Sequence, residues 1–458
     1  MGGKRQKNQM LLAFMSEGRG EAPKTDRGGT EPSAAKQEPE SPAANERIME
    51  VIGNRENLWK ALQRVQANKG SPGVDGMTVQ QLPDYLREHW PTLREQLLHG
   101  TDEPQPVKRV EIPKPGGGVR KLGIPVVLDR FIQQAGLQVL QERWDPTFSP
   151  HSYGFRPGRS AHQAVAAAQQ YIVDGCRWVV DLDLEKFFDR VNHDRLMAAI
   201  AQREKDKRVL KLIRAFLNAG VMENGLVSST EEGTPQGGPL SPLLSNLVLD
   251  ELDRELEKRG HRFARYADDC NIYVRSERAG QRVMGSVTQF ITRRLKLKVN
   301  ETKSAVARPW DRTFLGFSFT SRREPKRRIG PKARQRFKDR VRELTRRSRG
   351  ISLPVMVGEL ADYLRGWRGY FGFCQTPSVL KDLDSWVRRR LRCFKWQQWK
   401  RGKRRFAELR RLGVRKDLAA QTAGSPHGPW RISRSPALSF AFPDAYFETL
   451  GLPSLTVG

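Results

Sequence analysis

Apolar residues recur along this chain in two spacings, one helical and one strand-like. Leu58, Leu62 and Val65 predict a helix that ends at Gly70, where "SPGVDG" forms a loop. "VKRVEIPKPGGGVRKLGIP" alternates apolar and basic positions around a glycine-rich turn and predicts a hairpin. Helices are expected over 129–144 and 160–174. "RWVVDLDLEKFF" is rich in β-branched residues and alternates, so it predicts a strand. On that strand Asp181 and Asp183 share one face, and Val180, Leu182 and Leu184 the other. Helical patterns follow at about 194–219 and 242–259. "RFARYADDCNIYV" then predicts strand, tight turn, strand. Val283, Val287 and Phe290 mark a further helix, and "TFLGFSF" a short strand.

The last third changes character. Phe337, Val341 and Leu344 form one helical stripe. Leu360, Leu364, Trp367 and Phe371 form a second, and Leu380, Leu383, Val387, Leu391 and Phe394 a third. Three stripes predict a small helical bundle with its arginines outside. Residues 1–44, rich in Gly, Pro, Ser, Ala, Glu and Lys, are expected to be disordered. The chain from about residue 421, rich in Pro, Ser and Gly, is expected to be irregular.

Charge narrows the class of partner. The chain carries net charge +30, and residues 321–420 alone hold 31 Lys plus Arg against 9 Asp plus Glu. Such a concentration points to a polyanion, most often nucleic acid. No run of apolar residues is long enough to span a membrane, and no secretory pattern opens the chain. Cys176, Cys270, Cys374 and Cys393 form no CxxC pair, so no zinc ribbon is expected and a reducing cytosol suits them.

Against that background the adjacent acids Asp268 and Asp269 stand out. A carboxylate pair on a hairpin turn, with Asp183 ending a separate strand, would gather three acids at one sheet edge. Like charges so placed repel and raise one another's pKa. Divalent cations relieve this, and Mg²⁺ suits hard oxygen ligands combined with substrate phosphates. Two such ions can clamp the attacking and leaving oxygens of an in-line phosphoryl displacement.

These residues resemble a known family. "RYADDC" is similar to the Tyr-x-Asp-Asp box of reverse transcriptases, and "DLDLEKFFDRVNHD" to their first palm motif. "EGTPQGGPLSPLLSNLVLDELD" resembles the segment between those two. "GSPGVDG", "IPKPGGGVRKLGIP" and "SYGFRPGRSAHQAV" resemble N-terminal and finger blocks of group II intron reverse transcriptases. "LKLKVNETKS" and "FLGFSF" resemble the last palm blocks, and "LADYLRGWRGYFGFCQTPSVLKDLDSWVRRRLRCFKWQQWK" the thumb or maturase region. The likeness runs in order over roughly residues 50–410.

The resemblance implies an α+β right-hand polymerase, fingers and palm, followed by an α-helical thumb/maturase domain. It implies a leader at 1–44, N-terminal extension and fingers at 45–175, and palm at 176–320. The thumb/maturase would occupy 321–405, and a basic C-terminal segment, a candidate reduced DNA-binding region, 406–458. It assigns catalysis to Asp183, Asp268 and Asp269, with the Leu184 carbonyl as an extra oxygen ligand for two Mg²⁺ ions. Lys114 and Arg120 would contact the incoming triphosphate. Gln236 would lie beside the nucleotide, and Lys303 near its phosphates. Phe188 would stand against the sugar and exclude a 2′-OH, and Tyr266 would pack under the primer end. The implied partners are a group II intron RNA, an RNA template with a DNA primer, deoxynucleoside triphosphates (dNTP) and a DNA target site, in a bacterial cytoplasm. Asp181, Asp189, His151, His162 and His193 are read as structural. Trp367 and Trp386 are read as bundle core, while arginines around Trp396 and Trp399 leave RNA stacking open. Nothing after Lys400 resembles a Cys/His-rich homing endonuclease, so strand cleavage is not expected. Retron, diversity-generating or phage-defence reverse transcription, and splicing-only RNA binding, are the rival readings.

Overall fold

The computed structural model describes residues 47–113, 117–223, 226–228, 233 and 237–456. The chain divides into two compact units, one built from 1–164 with 180–306 and the other from 165–179 with 307–458. The expected disordered leader lies outside the described residues.

In the first unit, helices α1 (Ile48–Ile52), α2 (Arg55–Ala67) and α3 (Leu82–His99) lead to the hairpin β1 (Val107–Pro113) and β2 (Val119–Ile124). Asn54 caps α2 by accepting the Glu56 N–H at 2.9 Å, and Leu58, Ala61, Leu62 and Val65 are its buried stripe. Helix α3 went unpredicted because Pro91 sits inside it, yet Leu82, Leu86, Trp90, Leu93 and Leu97 keep a buried face. The hairpin pairs from Lys108 opposite Ile124 to Pro113 opposite Val119, as its alternation predicts. It continues into a four-stranded sheet, β2-β1-β4-β5, through β4 (Val221–Glu223) and β5 (Leu226–Ser228).

Next come α4 (Val127–Trp144), α5 (Ala161–Val173, most of which belongs to the second unit), β3 (Trp178–Leu182), α6 (His193–Arg203), α7 (Lys207–Asn218) and α8 (Ser241–Lys258). Strands β6 (Arg262–Tyr266) and β7 (Asp269–Val274), helix α9 (Glu277–Phe290) and β8 (Ala305–Ala307) complete the set. A second sheet has the order β6-β7-β3-β8. Val179, Val180 and Leu182 are buried while Asp181 is half-buried, so β3 is covered on both faces.

The second unit contains the short pair β9 (Phe317–Phe319) and β10 (Arg327–Ile329), then α10 (Pro331–Leu344), α11 (Leu353–Phe371) and α12 (Pro377–Gln398). The predicted stripes form one core in which Phe337, Leu360, Leu364, Val387 and Leu391 are buried. Trp367, Trp396 and Trp399 are buried there too, whereas Trp386 is only half-buried. Not every arginine lies outside: Arg388 is buried and pairs with Asp384 at 2.6 Å.

The expectation of an irregular tail is overturned. The chain forms α13 (Gly402–Arg411), α14 (Lys416–Ala423), α15 (Pro429–Ile432), α16 (Pro436–Ala441) and α17 (Asp444–Thr449). Leu409, Leu438, Phe442, Phe447 and Leu455 join the same core as α10–α12. Pro429 and Pro436 open α15 and α16 at first-turn positions, where no N–H is needed. Ser435 caps α16 through the Leu438 N–H, and Asp384 accepts from Ser454 Oγ at 3.0 Å and Leu455 N at 3.2 Å. Residues 406–458 hold six Lys plus Arg against four Asp plus Glu, too even a balance to mark a basic tail.

Candidate active site

Two segments frame the site. Past the end of β3, residues 183–185 are stitched to the loop around residue 300. Asn300 N–H donates to the Asp183 carbonyl at 2.8 Å, Ser304 Oγ lies 3.0 Å from Asp183 N, and Glu185 N–H donates to the Lys298 carbonyl at 2.8 Å. Leu184 bridges Val299 between those flanking bonds, so its own carbonyl is not used by the bridge. The stitching brings Lys303 Nζ to 3.4 Å from Asp183 Oδ2.

The second segment is the β6–β7 hairpin. Tyr266 pairs with Asp269 in register, leaving Ala267 and Asp268 as the turn. Ala267 adopts φ +57°, a left-handed conformation that a residue with a Cβ adopts only at a cost. The Asp268 carboxyl is held above its ordinary pKa, first by burial and further by the Asp183 charge, while Arg120 and Arg265 pull it down. Asp183 and Arg120, predicted from two other motifs, therefore both lie within electrostatic reach of Asp268.

Asp269 faces different neighbours. Its charge and that of Asp181 both help to keep Cys270 and Tyr273 protonated, after the larger effect of their burial. Among the described residues no group of three or more His, Cys, Asp or Glu is gathered closely enough to hold a metal ion. Asp183 is the acid within electrostatic reach of Asp268. Two hard carboxylates, with a carbonyl that the bridge leaves unused, are a donor set that suits Mg²⁺.

Phe188 is half-buried on the turn Phe187–Asp189, with its ring edge-on to buried Phe187 at 5.3 Å between centroids. Lys114 and Gln236 lie outside the described residues. His193 is structural: it is buried, with Nε2 2.6 Å from the Gly233 carbonyl.

Sequence reasoning missed the group that holds the turn. Arg265 is fully buried and binds both carboxylate oxygens of Asp253, at 2.7 and 2.5 Å. It also donates to Asn246 Oδ1 at 3.1 Å, Ser152 Oγ at 2.8 Å and the Ala267 carbonyl at 2.9 Å. Burial works against its charge, and Asp253 more than offsets that, so the guanidinium stays ionised. Arg265 thereby anchors the peptide just before Asp268 to helix α8. A signal existed: Arg265 shares strand parity with buried Phe263.

Comparison with known proteins places this geometry. Residues 112–319 match the reverse transcriptase (RNA-dependent DNA polymerase) family, and the framed acids lie within that match. Residues 334–413 match the group II intron maturase-specific domain. The chain therefore carries, in order, a region similar to reverse transcriptases and a region similar to the maturase-specific domain of group II introns. Protein YkfC of Escherichia coli (strain K12) is 40% identical over 221 residues, 47% of this chain and 58% of YkfC. The group II intron-encoded protein LtrA of Lactococcus lactis subsp. cremoris is 38% identical over 197 residues, 43% of this chain and 33% of LtrA. The retron Mx65 reverse transcriptase of Myxococcus xanthus is 29% identical over 216 residues, covering 43% of this chain and 47% of that protein. The chain thus spans between a third and three-fifths of these relatives' lengths. Among the described residues no helix is long and apolar enough to cross a membrane.

Proposed function

We propose that this protein is an RNA-directed DNA polymerase of a group II intron and assists the splicing of that intron's RNA as a maturase. The observation that carries the polymerase reading is the position of Asp268 on the β6–β7 turn within electrostatic reach of Asp183 at the end of β3, both inside the stretch that matches reverse transcriptases. Two neighbouring carboxylates are hard oxygen donors suited to a divalent cation. Asp183, Asp268 and the Leu184 carbonyl would hold Mg²⁺, with Asp269 an outer partner. Bound metal would neutralise charge on the phosphates and the attacking 3′ oxygen. Arg120 and Lys114 would steady the triphosphate, and Gln236 would line the nucleotide site. The architecture is then the right-hand polymerase, with thumb and maturase in the helical unit, and the protein works in the bacterial cytoplasm on RNA template, DNA primer and dNTP.

The maturase reading rests on the match over 334–413 and on the cationic charge concentrated there. Primer extension on poly(rA) with an oligo(dT) primer tests the polymerase. Wild type should extend with Mg²⁺, and Asp268→Ala should lose at least about 10³-fold in rate, comparable to the loss of a dominant electrostatic catalyst. Extension by Asp268→Ala at the wild-type rate would refute the assignment. Promotion of splicing by a wild-type chain unable to extend any primer would favour the splicing-only alternative.

A further inference from the structure

We propose that the groove between α6 and α8 is a docking site for the chain's own leader. The apolar run Met10–Met15, "MLLAFM", lies on its floor, and the acids that follow, Glu17 and Glu21, meet its arginine rim. This face is separate from the acids of the candidate active site, and its occupant does not depend on the polymerase reading.

The groove is a cavity of about 410 Å³ that lies wholly within the first unit. Leu196, Leu247, Leu295 and Leu297 are its buried floor, and Ala198 and Val248 carry apolar lining up to the solvent. Four arginines line it against two carboxylates. Glu251 is shared by Arg195 at 3.1 Å and Arg294 at 2.9 Å, and Asp250 by Arg203 at 2.6 Å and Arg254 at 2.9 Å. Each trio therefore keeps one positive charge in excess. An apolar floor under a cationic rim suits an apolar segment that continues into acids.

The leader has that composition. Met10–Met15 holds every large apolar residue of the leader after Met1. Lys4, Arg5 and Lys7 precede the run, while residues 16–46 hold seven Asp plus Glu against four Lys plus Arg, an acidic stretch in a chain of net charge +30. The leader is also tethered beside the groove. The Met49 N–H donates to Asp206 Oδ2 at 3.0 Å and Glu50 pairs with Arg208 at 2.7 Å, just past Arg203 at the end of α6. Residues 16–46 make a 31-residue tether. A tether of that length spans roughly 30 Å root-mean-square and holds its cargo at an effective concentration on the order of millimolar, so a modest affinity fills the groove. The groove between α2 and α4 in the same unit is a poorer match: Glu56 and Glu142 offset Lys60 and Arg64, and its apolar lining is only Val51, Ala67 and Val139.

The test is photo-cross-linking of the full-length chain with benzoylphenylalanine in place of Met15, on an equimolar mixture of isotopically labelled and unlabelled protein, read by peptide mass spectrometry. The main product should join the leader to α6, α8 or residues 294–297 within one isotopic form. Leu12→Asp/Phe14→Asp, which alters no described residue, should lower its yield at least about tenfold, as the loss of two buried apolar side chains would. Arg254 and Arg294 are exposed, and Arg254→Glu/Arg294→Glu should lower the yield about threefold, the scale of exposed ion pairs. Adding Glu17→Arg/Glu21→Arg to that chain should restore it, a reciprocity that general damage cannot mimic. No product, a product on any other segment, or a yield untouched by Leu12→Asp/Phe14→Asp overturns the proposal. Products that join the two isotopic forms also overturn it, by making the occupant the leader of a second copy. Cross-linking needs no turnover, so failure of primer extension would refute the polymerase reading and leave this result unaffected.

Discussion

The backbone of Gly154 lies so close to that of Ala267 that no side chain fits between them. A Cβ on Gly154 would stand 3.0 Å from the Tyr266 carbonyl carbon and nearer still to the Ala267 nitrogen. The glycine is fixed there: Tyr153 N–H donates to the Arg265 carbonyl at 2.9 Å, and Asn246 donates to the Gly154 carbonyl at 2.8 Å. The "SYGF" segment is therefore a wedge behind the turn that carries Asp268. Gly154→Ala should displace that turn by a fraction of an ångström or more, and misplacement on the 1 Å scale costs about 10²-fold in rate. The expected result is a kcat for primer extension reduced about 100-fold with near-native circular dichroism. Wild-type kcat in a folded variant would show that the contact does not set the turn.

That relationship marks the limit of what could be read from the chain. Alternation and helical spacing foretold both hairpins, the strand before Asp183 and the three helical stripes of the second unit, because these are local signals. Lys114 and Gln236 fall outside the described residues, so their predicted roles gain nothing from the fold. The Arg265 anchor was hidden because it joins residues from 152 to 267 in space. The tail misled because proline before a short helix looks like proline in a loop until the Ser435 cap is seen.

Lys303 and Asp183 form a surface pair, their side chains 67% and 39% exposed. Such pairs are worth about 0–1 kcal/mol, so this one parts easily. Under the proposed function Lys303 turns from Asp183 to the incoming phosphates when nucleotide binds. Lys303→Ala should leave the melting temperature nearly unchanged and raise the KM for dNTP about tenfold, the scale of one charge-assisted hydrogen bond. A lower kcat at unaltered KM would assign Lys303 to Asp183 alone.

Phe187 and Phe188 are neighbours with opposite fates, one buried and one half-exposed. Phe187→Ala should cost about 3–5 kcal/mol of stability, as deletion of a core aromatic does. Phe188→Ala should cost far less. If Phe188 meets the sugar, the variant should raise ribonucleotide over deoxynucleotide use, measured as a ratio of kcat/KM, by at least about tenfold, since a steric filter of this size is worth 1–3 kcal/mol. An unchanged ratio would return Phe188 to a packing role.

Asp129 gives the first unit a pH dependence of its own. It sits buried at the start of α4 with only the Gln105 N–H, at 3.0 Å, as a named donor to its carboxylate. Burial pushes its pKa up to about 8; the Gln105 bond opposes this, and the Asp102 and Asp75 charges add to it. In the unfolded chain the carboxyl titrates near an ordinary value of about 3.9. Below that pH both states hold the proton and the group has no effect on stability. Between about 4 and 8 the folded state alone keeps the proton, so raising the pH draws the equilibrium toward the unfolded chain. The penalty grows by at most about 1.4 kcal/mol per pH unit and levels off above pH 8. Asp129→Asn keeps an oxygen acceptor for Gln105 and removes the titration. Melting curves should nearly coincide for the two proteins at pH 4.5 and separate progressively by pH 8, with the variant the more stable by a few kcal/mol. Asp102, which burial also pushes up, leaves the variant a residual slope of the same sign. Parallel curves across that range would mean that Asp129 ionises normally and that its burial is relieved in solution.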